Sequence, residues 1–405
     1  MVSGGTGGHI FPALAVAEEL RSRSELGVFP CIIEFVGTRR PLESKIIPPA
    51  GYPLRTVEAA GLKGIGGLRF FRNLLVLPRT TLAVRRILKE FKPQVVVGVG
   101  GYLAGPVMLM AALRGIPTLL IEPNVCPGFT NRVLAPLVRK AAVGFLATAQ
   151  FYGKKANVTG LPVRSAFFSI SPRQSLAQAL VPVEGAAQPE VAAHPFTVFI
   201  VGGSQGSRAI NQAVVASLPM LAQIADAGPA SVSADDVGPT LRLAHAGLKS
   251  GAIVAIRGPI RIIHQTGEAD YNDVLKSYQG QSLLAEVHAF IEDMPGAISQ
   301  ADLVISRAGA TAVTELAAAG RAALLIPFPG AADQHQLENA RAMEKAGAAR
   351  VIVQSELTPE RLATEIRSLM ANPETLGKMA ASARCFAKLD AAARIADLVQ
   401  ELAIS

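Results

Sequence analysis

Two glycine-dense phrases, Gly4-Gly5-Thr6-Gly7-Gly8-His9 and Gly202-Gly203-Ser204-Gln205-Gly206-Ser207, stand about 200 residues apart, each running into an amphipathic stretch. Glycines let a backbone turn with positive φ and approach a ligand closely, and the helix that follows aims unpaired N–H groups at an anion. Only the first phrase carries a histidine. An imidazole can take a proton near neutral pH, so His9 is the candidate general base. Two further phrases carry polar chemistry. Ser306-Arg307-Ala308-Gly309-Ala310 leads into a helix in which Glu315, one turn on, has the carboxylate a ribose diol would use. Phe328 to Asn339 places amides and His335 after an apolar run, the kind of group that reads sugar hydroxyls. The first glycine phrase fits neither GxGxxG followed by an acidic residue, Gly37-Thr38-Arg39-Arg40 standing at the end of the second strand, nor GxxxxGK[ST], which argues against NAD binding and against a P-loop ATPase. There is no Asp-x-Asp triad and no His or carboxylate pair at metal spacing. Any bound phosphate is therefore expected to be neutralised by backbone amides and arginines, without a cofactor or a dedicated metal site.

These groups need a scaffold. Short apolar runs alternate with helical patterns: Cys31 to Val36, Val95 to Val99, Thr118 to Ile121 and Lys140 to Leu146 in the first half, then Thr197 to Val201, Ile260 to Gln265, Leu303 to Ser306, Ala323 to Pro327 and Ala349 to Val353. Alternation of this kind predicts parallel sheets with crossover helices, here two doubly wound α/β domains whose glycine phrases face one cleft. The Pro-, Ala- and Ser-rich stretch from Ser165 to Pro195 marks the junction, and Ala225 to Pro259 reads as a surface insertion. From Pro373 onward the pattern is helical. Only Met1, Val2 and Ser3 precede the first glycine phrase, so the central strand of the first sheet is expected to be missing, or to be supplied by a start further upstream.

Composition narrows the function. Half of the 405 residues are hydrophobic and 17% are charged, which suits compact domains; Trp is absent and aromatics are few, which disfavours a single-stranded nucleic-acid platform. Up to residue 165 there are 21 Lys and Arg against 8 Asp and Glu, and in the remainder 18 against 23. The first half should thus meet something anionic. Basic and apolar residues intermingle between Gly61 and Pro93, with Leu68, Phe70, Phe71 and Leu75 beside Arg72, Arg79, Arg85 and Arg86, as in an interfacial membrane contact. The uncharged run Val95 to Leu113 is broken by Gly98, Gly100, Gly101, Gly105 and Pro106, so it reads as strand, loop and helix, not as a membrane span. Three cysteines without CxxC or Cys/His spacing support neither a disulfide framework nor zinc, and a reducing cytoplasm is the expected compartment.

Taken in order, the phrases GGTGGHIFPALAVAEEL, GVGGYLAGP, NVCPGFTNR, VTGLPVR, VGGSQGSRAIN, IIHQTG, FIEDM, SRAGATAVTELAAAG and PFPGAADQHQLENA resemble the MurG family of glycosyltransferase family 28, the N-acetylglucosaminyltransferases of peptidoglycan synthesis. The resemblance implies a GT-B fold with an acceptor- and membrane-facing domain over 1–165, a UDP-GlcNAc-binding domain over 166–385, and a C-terminal helix over 386–405 packing back on the first domain. It implies inverting transfer of GlcNAc from UDP-GlcNAc to undecaprenyl-diphosphate-MurNAc-pentapeptide, at the cytoplasmic face of the bacterial membrane, beside other cell-wall synthesis proteins. By position, Thr6, Gly7 and Gly8 would line the cleft, Asn124 would touch the donor sugar and Arg164 the nucleotide. Ser204 would meet the diphosphate, Ile291 the uracil through its backbone, and Ala310, Thr311, Ala312, Val313, Thr314 and Glu315 the phosphate and ribose. His335 and Gln336 would read the GlcNAc hydroxyls. Ile121-Glu122-Pro123-Asn124 stands where the family has His-Glu-Gln-Asn, and Ala312 replaces a usual threonine. The same fold would also suit another UDP-sugar lipid glycosyltransferase, a UDP-GlcNAc 2-epimerase, or a non-catalytic UDP-sugar-binding protein.

Overall fold

The computed structural model describes residues 1–4, 7–38, 40–58, 76–171, 195–226, 258–281, 283–331 and 334–404. Thr6, the apolar-basic residues Leu68, Phe70, Phe71, Arg72 and Leu75, and nearly all of the 225–259 insertion lie outside the described residues.

The first half runs α1 (Gly7–Glu25), β1 (Phe35–Gly37), α2 (Pro41–Ile46), β2 (Leu54–Thr56), α3 (Val76–Phe91), β3 (Val96–Gly98), α4 (Ala104–Leu113), β4 (Thr118–Glu122), α5 (Phe129–Leu134), β5 (Lys140–Val143), α6 (Leu146–Tyr152) and β6 (Ala156–Val158). The second runs α7 (Ser165–Phe168), β7 (Pro195–Val201), α8 (Arg208–Asp226), β8 (Gly258–Gln265), α9 (Tyr271–Tyr278), β9 (Leu284–His288), α10 (Met294–Gln300), β10 (Leu303–Ser306), α11 (Ala310–Ala319), β11 (Ala322–Leu325), α12 (His335–Lys345), β12 (Ala349–Val351), α13 (Pro359–Met370), α14 (Pro373–Phe386) and α15 (Ala391–Ile404).

The missing first strand must be corrected. Val2 forms parallel bridges to Val36 on one side and Gly98 on the other. Its N–H donates to the Val97 carbonyl (2.7 Å), its carbonyl accepts from Val99 N–H (3.2 Å), and the Met1 carbonyl accepts from Val36 N–H (2.9 Å). Met1 to Ser3 thus fills the central position and joins β2-β1 to β3-β4-β5-β6 in one parallel sheet. The second sheet, also parallel, has the order β12-β11-β10-β7-β8-β9. In both sheets the order reverses beside the strand that feeds a glycine phrase. A crevice opens at such a reversal, outside the carboxyl ends of the strands, and the described residues of both phrases lie there.

Burial explains the strands. Val198, Phe199 and Ile200 of β7 and all four residues of β10 are buried, as expected of strands covered by helices on both faces. β2, β6 and β9 are short or half-exposed edge or near-edge strands without a continuous apolar run, which is why sequence patterning passes over them. The expected strands over Cys31 to Val36 and Lys140 to Leu146 are shorter in the structure. The first begins only at Phe35, and the second ends at Val143 before Leu146 opens α6.

The chain crosses between domains at Pro162, slightly before the expected junction. Leu161 packs in the first core with Val97 and Leu119, while Val163, Phe167 and Ile170 pack in the second with Phe199 and Leu316. It returns after Ala387, and α15 lies on the first domain, where Ile395, Ala396 and Leu402 join the core beneath α1. Arg23 of α1 fixes that helix by donating to Asp397 (2.7 Å), Gln400 (2.9 Å) and the Ala393 carbonyl (3.0 Å). The C-terminal segment is accordingly two helices, α14 and α15, broken at the return crossing.

Candidate functional site

Helix α1 begins inside the first glycine phrase, at Gly7, and His9 lies in its first turn, half-buried. Its ring is hydrogen-bonded to the Gly4 backbone and rests against Gly100 and Gly101, whose φ of 110° and 83° suit glycine. A side chain at Gly100 would lie 3.3 Å from His9 Nε2 and 3.2 Å from Asn131 Oδ1, so these two groups converge over one point of bare backbone. Burial pulls the His9 pKa down to about 4, against the pull of the Gly4 hydrogen bond, and His335 across the cleft lowers it further. The imidazole is therefore neutral at physiological pH, the form that accepts a proton.

Behind His9 lies a polar cluster that sequence reading passes over. Glu122, at the carboxyl end of β4, is fully buried. Its carboxylate accepts from Asn124 N–H (3.0 Å), Asn124 Nδ2 (3.2 Å), Gly128 N–H (3.1 Å) and Asn131 Nδ2 (2.8 Å). Desolvation raises its pKa while those four donors oppose the rise. Glu122 thus shapes the loop from Pro123 to Gly128. Its signal was its place at the ligand-binding edge of a parallel strand. Asn131 is 3% exposed, and its Oδ1 is without a hydrogen-bond partner among the described residues.

The second glycine phrase follows β7 directly. Ser204 is exposed at its tip, and Gly206 N–H closes the turn on the Gly203 carbonyl (3.0 Å). Arg307, after β10, donates to Ser207 Oγ (2.7 Å), to Gln354 (2.7 Å) and to the Ile326 and Pro327 carbonyls, and stacks on Phe328. All those acceptors are neutral, and burial draws its pKa down to about 10. A guanidinium set among uncharged acceptors beside a phosphate-type loop is poised to add an anion. Gln265 ties this loop to the neighbouring strand end, its Nε2 donating to the Gly203 carbonyl (3.1 Å) and its Oε1 accepting from Ile291 N–H (2.8 Å). The Ile291 N–H is thus engaged.

The Ala310 to Glu315 run opens α11 at the cleft, and only Thr311 and Ala312 are half-buried; Val313 belongs to the second core, and Thr314 Oγ1 bonds back to the Ala310 carbonyl. Thr311 Oγ1 donates to the Gly8 carbonyl (3.3 Å), so the N-terminal ends of α11 and α1 meet across the cleft. Glu315 is held by Arg164 (3.0 Å), whose guanidinium lies over the rings of Phe11 (4.4 Å) and Phe167 (4.9 Å). Burial raises the Glu315 pKa and Arg164 opposes that rise. His335 and Gln336 open α12 on the same side, with Gln336 Oε1 accepting from Phe328 N–H (3.0 Å). The structure thus gathers His9, Gly7, Gly8, Asn124, Arg164, Ser204, Ile291, Thr311, Glu315, His335 and Gln336 around the two sheet crevices. The Asn124 side chain differs from expectation, being held by Glu122 and by Asn339 (3.2 Å). Among the described residues no group of three or more His, Cys, Asp or Glu is placed to hold a metal ion.

Family models match both halves: the glycosyltransferase family 28 N-terminal domain over residues 1–143 and the C-terminal domain over 197–399. A relative from Solibacter usitatus, the UDP-N-acetylglucosamine–N-acetylmuramyl-(pentapeptide) pyrophosphoryl-undecaprenol N-acetylglucosamine transferase, is 39% identical over all of this chain and 95% of its own length. The protein of the same name from Myxococcus xanthus is 38% identical over 100% of this chain and 92% of its own. Among solved structures, MurG of Acinetobacter baumannii superposes with a TM-score of 0.67 at 31% identity, covering 99% of this chain and 98% of that one. A UDP-GlcNAc 2-epimerase from Neisseria meningitidis, with a TM-score of 0.60 at 12% identity over 99% of this chain and 98% of its own, shares the fold alone.

Proposed function

The chain belongs to glycosyltransferase family 28, and from that premise we propose that it transfers GlcNAc from UDP-GlcNAc to the C4 hydroxyl of MurNAc in undecaprenyl-diphosphate-MurNAc-pentapeptide, a step of peptidoglycan synthesis. The observation that carries the reading is the meeting of His9 and Gly8, from the first domain, with His335 and Thr311, from the second, in a chain alike over its full length to enzymes of that name.

The chemistry follows from the geometry. The acceptor oxygen attacks the anomeric carbon from the face opposite the diphosphate. A new C–O bond forms as the bond to the UDP oxygen breaks, and the configuration inverts. The hydroxyl proton passes to His9 Nε2, which is neutral beforehand. Negative charge builds on the leaving diphosphate, where the N–H groups of the Ser204 loop and the Arg307 guanidinium stabilise it. Glu315 takes the ribose diol, with Arg164 opposing the rise that burial gives its pKa, and the Ile291 carbonyl accepts from the uracil N3–H.

The acceptor is a lipid, and the first domain is built to meet one. Leu82, Leu109, Leu113, Phe129, Val133 and Leu137 are exposed, near in sequence to Arg79, Arg85, Arg86, Arg114, Arg132 and Arg139, which are also exposed. Apolar side chains among cations suit an anionic leaflet. No described helix is long and apolar enough to cross a membrane. Peripheral attachment at the cytoplasmic face fits this surface.

The test is incubation with labelled UDP-GlcNAc and the lipid-linked acceptor, following label into the lipid fraction. Transfer supports the reading. Donor binding without transfer, or label recovered as an epimerised UDP-sugar, overturns it. Sedimentation with liposomes that ignores their anionic lipid content would overturn the membrane part alone.

A further inference from the structure

Asn339 lies one turn beyond His335 on α12, and its side chain leaves its own domain. It is fully buried. Nδ2 donates to Asn124 Oδ1 (3.2 Å) and to the Ala308 carbonyl (3.2 Å), and Oδ1 accepts from Val125 N–H (3.1 Å). Both amide protons and the oxygen are thus in use, two of the three bonds reaching the other domain. On that far side Thr148 Oγ1 sits within hydrogen-bonding distance of the Asn124 (3.1 Å) and Val125 (2.8 Å) carbonyls. Glu122 then joins Asn124 to Asn131, and Asn131 Oδ1 faces the point over Gly100 that His9 Nε2 also faces. A polar line therefore runs from the helix bearing His335 as far as Asn131, whose Oδ1 shares with the candidate base the point over Gly100.

We propose that Asn339 is a positioning residue for the transfer, setting the loop from Pro123 to Gly128, and through Asn131 the His9 ring, in fixed register with the donor-sugar helix. The proposal rests on the GlcNAc-transfer reading above. An apolar side chain at this point would fill the space while letting the two domains slide past each other. A buried amide with both donors and its acceptor engaged tolerates no such slide, because each lost bond leaves a desolvated polar group. The base comes from one domain and the donor from the other, so this register decides whether the attacking oxygen lines up with the anomeric carbon.

The experiment measures transfer by wild type, Asn339→Ala, His9→Ala and the double variant, together with UDP affinity. In the wild-type background Asn339→Ala should lower kcat at least tenfold, with UDP affinity and the donor KM within twofold. In the His9→Ala background the same change should cost no more than twofold, since the group it positions is gone. Asn339→Asp keeps an acceptor for Val125 N–H but faces Asn124 Oδ1 and the Ala308 carbonyl with oxygen; it should behave like the alanine variant. Equal losses in both backgrounds, or a kcat within twofold of wild type, overturn the proposal. Should Asn339→Ala fail to bind UDP, Asn124→Ala, which cuts the same bridge from the other domain, is put through the same cycle and judged by the same rule. A wild type that binds UDP-GlcNAc yet transfers nothing removes the functional reading and this proposal with it. An active wild type with additive losses removes the proposal alone.

Discussion

If His9 is the base, the acid limb of the reaction should fall far below the range of an ordinary histidine. Burial against Gly100 and Gly101 depresses its pKa from 6.5 to about 4. At pH 5.5 a histidine of ordinary pKa is roughly one-tenth neutral, whereas one titrating near 4 is almost wholly neutral. The kcat/KM for the lipid acceptor should then hold within about twofold between pH 7.5 and 5.5, where an unperturbed base would lose about tenfold. Stability follows the same sign: the folded pKa lies below the unfolded one, so the contribution of His9 is fully present above pH 6.5 and is lost as pH falls through about 4. The assay pairs initial rates across this range with an NMR titration of the His9 ring, and His9→Ala should cost on the order of 10²- to 10⁴-fold in kcat while retaining UDP binding. An acid limb near pH 6.5 that matches the ring titration would refute the burial argument. An alanine variant with unchanged turnover would remove His9 as the base altogether.

Three further outcomes follow from single contacts. Gly206 has φ +74°, and a Cβ there would overlap the Thr266 carbonyl, so Gly206→Ala should destabilise by about 2–4 kcal/mol and weaken UDP binding; urea denaturation and calorimetry would both have to be unchanged for the loop geometry to be wrong. Glu122→Gln presents an NH2 to at least one of the four donors that the carboxylate now satisfies, which should cost about 1–3 kcal/mol and lower the melting temperature; a variant as stable as wild type would mean that this cluster does not shape the loop. If Glu315 reads the ribose, wild type should prefer UDP over 2′-deoxy-UDP by roughly tenfold, and Glu315→Gln should erase most of that preference; an unaltered preference assigns the diol elsewhere.

Legibility from the sequence tracked the physics of each element. The parallel strands were plain because burial on both faces forces an uninterrupted apolar run, as in Leu303 to Ser306. β9 was not, since most of its residues are exposed at the sheet edge and no pattern singles them out. The second glycine phrase was legible because positive φ at Gly203 and Gly206 constrains residue type locally. Asn339 was not, because its partners lie 31 to 215 positions away; Glu122 and Asn131 were not, because their residue types do not announce the burial that pairs them. A buried amide looks like any other Asn until the fold closes around it. Asn124 shows the same limit: its residue type suits a sugar contact, but its amide is committed to Glu122 and Asn339.

Three residues in the first sheet bear on whether so short a strand can hold the loop that leads to His9. A strand at a sheet edge is held on one side, and three residues there would fray. Met1 to Ser3 sits between β1 and β3 and is bonded on both flanks, to Val36 on one and to Val97 and Val99 on the other. Val2 is 1% exposed and packs with Val36 and Val96. Registration from both sides fixes the direction in which the chain leaves Ser3, and Gly4 then meets His9 through its backbone. Length matters less here than position. A central stub closed by two neighbours aims the loop into the crevice where the strand order reverses, and the His9 ring is further braced by Gly100 and Gly101 from the next crossover, so the candidate base does not depend on the stub alone.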